Sequence, residues 1–179
     1  MNLILSIVSG IAGLIILLLI IASFAKKHYS LTSEISIQKP SHVVFDYLKL
    51  LKNQDNFSKW ALMDPNMTKE FRGIDGTVGF VSAWNSNKKN VGKGEQEIRK
   101  ISEGEKIDFE IRFIKPFAGI AQAYLSTDSL SDKVTLVHWG FSSKMSYPLN
   151  LMLLLMNMEK KIEEDLQTGL SNLKELLEK

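Results

Sequence analysis

The chain has 179 residues, with 22 Lys and Arg against 20 Asp and Glu, three His and no Cys. That length supports one domain and a short accessory segment. The near-balanced charge excludes a general nucleic-acid surface, which would show a basic excess, and the absence of Cys excludes a disulfide framework and thiolate metal sites.

Residues 3–25 carry no charge. A helix rises about 1.5 Å per residue, so roughly 20 apolar residues cross a hydrocarbon core about 30 Å thick. The expectation is a membrane anchor over 1–28. Two other readings stay open. A secretory signal peptide would have a basic start and a shorter apolar stretch, although Ser23-Phe24-Ala25 resembles a cleavage site. A core helix apolar all round needs a larger body to hide it. Lys26 and Lys27 follow the run, and flanking positive charge tends to stay cytoplasmic. A single-pass protein with its domain (29–179) in the cytoplasm is therefore expected. Without Lys26 and Lys27 that domain is neutral, with 20 basic and 20 acidic residues.

Leu31 to Gln38 alternates, with Leu31, Ser33, Ile35 and Ile37 on one face, and predicts a strand. Pro40 and Ser41 open a helix through Val43, Val44, Tyr47, Leu48 and Leu51. A second short helical stretch covers about Asn53 to Ala61, and Asp64-Pro65-Asn66 is a turn. Strands follow over Thr68–Arg72, Gly79–Asn85, Gly94–Ile101, Lys106–Phe113, Gly119–Thr127 and Lys133–Ser143, with turn residues between them. That spacing marks an antiparallel meander. Lys106–Phe113 has Ile107, Phe109, Ile111 and Phe113 on one face. In the last strand Val137, Trp139 and Phe141 share a face. Pro148 opens a final helix of about 30 residues. Its second half is amphipathic through Ile162, Leu166, Leu170, Leu173 and Leu177. Its first half, Leu149 to Met158, has no solvent face beyond Asn150 and Asn157. An antiparallel sheet covered by one helix is an α+β layer solution.

Several short patterns occur in a telling order: Pro40-x-x-Val43-x-Phe45, Trp60 with Asp64-Pro65, Gly73-x-x-Gly76-x-x-Gly79 leading into Trp84, Gly92-x-Gly94-Glu95-x-x-Ile98, and Val134-Thr135 through Gly140. Over residues 29–179 this resembles the START-like, helix-grip (SRPBCC) superfamily, in particular its polyketide cyclase/dehydrase and lipid-transport group. The resemblance implies a sheet wrapped around a long C-terminal helix, with a ligand cavity between them. Fold does not fix function.

The chemistry-bearing residues narrow the reading. His28, His42 and His138 have no ligand spacing, so no metal site and no cofactor is expected. His138 is the one His within the expected sheet; a nucleophilic triad would need it beside a hydroxyl and a carboxylate. Glu95 and Glu97 share one strand face and would be acid–base candidates if that face were internal. Trp84, Phe109 and Trp139, with Leu153 and Met156 on the final helix, are the candidate pocket residues. Met and aromatic side chains suit an adaptable apolar site. The leading expectation is a membrane-anchored domain binding a hydrophobic small molecule or lipid. A cyclase- or dehydratase-like enzyme and a ligand-regulated sensor or partner-binding module are the alternatives.

Overall fold

The computed structural model describes residues 3–179. Helix α1 (Leu3–Phe24) is followed by strand β1 (His28–Ile37), α2 (Ser41–Lys49), a 3-10 turn (Leu51–Asn56) and α3 (Lys59–Met63). Strands β2 (Thr68–Arg72), β3 (Val81–Asn85), β4 (Lys93–Ser102), β5 (Lys106–Lys115), β6 (Gly119–Ser131) and β7 (Val134–Lys144) come next, then α4 (Leu151–Leu155) and α5 (Met158–Leu177). The strands form one antiparallel sheet in the order β1-β7-β6-β5-β4-β3-β2. The meander closes by laying the first strand against the last. This is the sheet-and-helix arrangement that the sequence patterns imply.

The period-two segments become strands for a plain reason: one face is buried and the other is wet. On β5, Ile107 and Phe109 are fully buried. On β1, Ser33 and Ile37 are buried and Leu31 and Ile35 partly so, while Thr32 and Glu34 are exposed. Helix α5 lies across the inner face with Leu166, Leu170 and Leu173 buried. Gly169 allows this close approach, because a Cβ there would meet the Trp139 ring at 2.7 Å. Asp165, also buried, is paired with Lys59 of α3. Charge removed from water needs such a partner.

Three boundaries differ from the sequence expectation. β1 starts at His28, where it still pairs with Lys144 of β7, so only Ala25 to Lys27 separate it from α1. β6 continues through Ser131, into the expected turn. The final helix is in two pieces, because Asn157 takes a left-handed conformation (φ 46°) between α4 and α5. Asn tolerates that region better than most residues.

Helix α1 is exposed along nearly its whole length, and Ala22 near its end is buried. The last carbonyls of a helix lack intrahelical partners. Here the fully buried Asn150 donates its side-chain amide to the carbonyls of Ala22 (2.7 Å) and Ala25 (3.1 Å). The Met145 N–H donates to the Lys27 carbonyl at 2.8 Å, and Lys26 pairs with Glu159 at 2.8 Å. The start of α4 is thereby fastened to the end of α1.

Candidate functional site

The inner face of the sheet carries the candidate residues. Phe109 is fully buried at the middle of β5, opposite Ile98 of β4 and Ala123 of β6. Trp139 on β7 is 5% exposed and meets Phe57 edge-on at 5.6 Å and Trp60 edge-on at 6.3 Å. Leu153 of α4 packs against the same cluster. Phe109, Trp139 and Leu153 therefore belong to one apolar body. Trp84 stands further along the sheet on β3. Its ring is edge-on to Phe113 at 6.2 Å, over the space that a side chain at Gly94 would fill. Its indole N–H donates to the Val91 carbonyl at 3.2 Å. Met156 is 54% exposed beside Leu154 and Leu155, outside the packed cluster.

Pairing registers place His28, Lys144, Gly119, Lys115, Lys93 and Asn85 at the same end of the sheet. Trp84, Phe113, Phe141 and Tyr29 face inward near that end, and Tyr29 and Phe141 are 6.1 Å apart. α1 leaves the domain here and α4 crosses beside it. The inner face is thus aromatic toward this end, and half-buried at Trp84 and Phe113. Burial pushes the Tyr29 hydroxyl above its ordinary pKa, against a hydrogen bond with Ser143.

Polar side chains on the inner face mostly serve the backbone. Thr135 donates to the Lys39 carbonyl, Ser33 to that of Glu163 and Thr127 to that of Gly104. Ser82 and Gln96 are register partners on the inner face of β3 and β4, Ser82 buried and Gln96 half-buried. Sequence reasoning passed over this pair. Its signal was present, since Ser82 alternates with Phe80 and Trp84, and Gln96 with Ile98.

Glu95 and Glu97 face outward. Arg112 donates to Glu95 (2.7 Å) and Glu110 (2.6 Å) and lies 2.8 Å from Glu97. Arg72 also bonds Glu95, and Arg99 bonds Glu97 at 2.7 Å. The Arg72 bond, then that of Arg112, holds the Glu95 carboxyl below the usual carboxylate range. Burial works to raise Glu97, but bonds from Arg112 and Arg99 outweigh it and its pKa is also lowered. A general acid at neutral pH needs the opposite shift. His138 is also on the outer face, with Nε2 2.9 Å from Asp128 and Nδ1 3.3 Å from Glu34. Both ring nitrogens face carboxylates, which is not the geometry of a hydroxyl-activating base. Among the described residues no group of three or more His, Asp and Glu is placed to hold a metal.

No family model matches the chain, and no curated protein matches it. Solved structures do. Norcoclaurine synthase from Thalictrum flavum, solved with dopamine and hydroxybenzaldehyde, superposes with a TM-score of 0.62 at 8% identity over 88% of this chain and 91% of its own. A protein of Chromobacterium violaceum gives 0.58 at 14% identity over 84% and 97%. DynU16, from the dynemicin biosynthetic locus, gives 0.56 at 11% over 83% of this chain and 47% of its own. Identities this low speak for the fold alone. The fold is the helix-grip fold of Bet v 1-like proteins: a seven-stranded antiparallel sheet with a long C-terminal helix, here preceded by an apolar N-terminal helix.

Proposed function

We propose that this protein is a single-span membrane protein whose helix-grip domain binds a hydrophobic small molecule or lipid on the cytoplasmic side. The observation that carries the reading is the aromatic inner face, buried at Trp139 and Phe109 and only half-buried at Ile111, Phe113 and Trp84. α1 is uncharged, long enough to span and almost unburied. An apolar ligand in the plane of a membrane would reach this end of the domain without crossing water. Ser82 and Gln96 would orient a polar headgroup or ring substituent, since a buried polar group in an apolar site needs a hydrogen-bond partner.

A cyclase- or dehydratase-like reading needs a free titrating group inside. Glu95, Glu97 and His138 are outside the sheet, Asp165 is held by Lys59, burial keeps the Tyr29 hydroxyl protonated, and neither Ser nor Gln exchanges a proton readily. These placements favour the binding reading. Leu153→Lys, made in the full chain in detergent or nanodiscs, should weaken binding of an apolar fluorescent probe while leaving the circular dichroism unchanged, whereas Met156→Lys, outside the packed cluster, should leave the affinity as it is. Retention of probe affinity in Leu153→Lys overturns the pocket. A reporter fused after Lys179 should be active in the cytoplasm; activity on the opposite side overturns the orientation.

A further inference from the structure

From Met145 to Met158 the chain holds no charged residue. In this stretch Tyr147, Leu149, Leu154, Leu155 and Met156 are all roughly half or more exposed. A contiguous apolar surface of this kind marks a contact with something apolar. Three facts say what that is. Asn150, between the exposed residues, is bonded to the last turn of α1, so the patch sits at the level where the apolar helix ends and Phe24 is 87% exposed. The turn between β5 and β6, at the same end of the sheet, exposes Phe117, and the start of β6 exposes Ile120. The charge around these apolar residues is one-sided: Lys27, Lys88, Lys89, Lys93, Lys115 and Lys144 lie at this end. The acidic residues there, Asp64 and Glu159, are held by Ser86 and Lys26. The opposite end is mixed, with Glu103, Glu105, Asp128 and Asp132 alongside Lys39, Lys49, Lys106 and Lys133.

We propose that this end of the domain rests in the headgroup layer of an anionic bilayer, with Leu149, Leu154, Leu155 and Met156 inserted and Asn150 as the positioning residue that fixes the pose. The inference builds on the reading of α1 as a membrane span and adds what the domain itself does at the surface. Apolar side chains at the acyl boundary ringed by lysines are the chemistry of interfacial attachment. The clamp explains why a fully buried amide is spent on the end of an otherwise unpacked helix. It couples the tilt of the span to α4, and through Leu153 to the apolar core.

The absence of cysteine makes a single introduced thiol a unique label. Leu155→Cys and Asp132→Cys would be labelled with an environment-sensitive fluorophore and the full chain reconstituted in phosphatidylcholine vesicles, with and without phosphatidylglycerol. Asp132 lies at the far end of β6 and β7, roughly 40 Å along the strand from Lys144 at about 3.3 Å per residue. With nitroxide lipids present, the label at 155 should be blue-shifted and quenched severalfold more than that at 132, and more so with phosphatidylglycerol. Equal quenching at 155 and 132, in protein that survives an alkaline wash of the vesicles, overturns the docked pose alone. Equal quenching in the two lipid mixtures overturns the anionic preference. Loss of the whole chain on washing overturns the span and the pose with it. Asn150→Ala should lower quenching at 155 without releasing α1. Asn150→Asp, which keeps the size and removes the amide donors, covers the case in which alanine disturbs folding. Unchanged quenching in the aspartate variant overturns the positioning role.

Discussion

Phe109 tests the assignment of the sheet faces most directly. It is fully buried on the central strand β5, between Ile98 and Ala123. A buried aromatic side chain hides roughly 150–250 Å², and at about 25 cal/mol per Å² that is about 4–6 kcal/mol. Alanine keeps part of this, and the cavity left behind adds back, so Phe109→Ala should cost about 3–5 kcal/mol. For a chain of this size each kcal/mol lowers Tm by about 2–4 °C, giving a drop of roughly 6–20 °C. Denaturant unfolding of the full chain in mild detergent, followed by tryptophan fluorescence, measures the loss. Trp139 and Trp60 lie in the same cluster and report on it. A cost under about 1 kcal/mol is too small for a packed aromatic. It would mean that Phe109 borders open space, and that the buried face of β5 is wrongly assigned.

Two further substitutions test the outer face. A Cβ at Gly140 would come 1.9 Å from the Tyr124 ring, whose hydroxyl is 3.2 Å from Thr32 and whose face lies under Lys106. Gly140→Ala should destabilise by about 1–3 kcal/mol, and Tyr124→Ala in the same chain should recover most of it; additive losses would refute the steric account. Glu95 is held below the usual carboxylate pKa by Arg72 and Arg112. A lowered folded pKa gives stability that is present above the unfolded value of about 4.3 and is lost as pH falls through the folded value. Glu95→Gln should therefore be less stable than the parent at neutral pH, with the gap closing in acid. A gap of constant size across the pH series would show that the carboxylate charge is not the cause.

Much of the fold is legible in the sequence because the physics is local. Ile107, Phe109, Ile111 and Phe113 declare a half-buried strand without any partner strand being known. The faces of β4 are different: Glu95-Gln96-Glu97-Ile98 alternates equally well in either direction. The sense is set by Gly94, which makes room for the Trp84 ring, and by Arg112 on the next strand. Both are cross-strand facts. The apolar run from Leu149 reads as one uninterrupted helix because nothing in its periodicity marks a stop. Asn157 was the available signal, since Asn enters the left-handed region more readily than its neighbours. Asn150 could not be read at all: its partners, Ala22 and Ala25, lie more than a hundred residues away. In the same way Trp84, Phe109 and Trp139 could each be assigned a face. That Phe109 and Trp139 share a cluster while Trp84 packs on Phe113 depends on strand order.

The join between α1 and the domain bears on how such a protein would work. A flexible tether leaves its cargo free to tumble, and each doubling of tether length changes the closure cost by only about 0.6 kcal/mol. Here only three residues separate α1 from β1, and the Met145–Lys27 bond, the Asn150 clamp and the Lys26–Glu159 pair fasten the segment before α5 to the same point. Of these, the exposed ion pair contributes little. The amide clamp matters more, because removing its carbonyl partners would strand a buried donor, at about 1–3 kcal/mol. α1 is thus completed by the domain and the domain by α1. A displacement of α4 would have to disturb Asn150, and with it the end of α1.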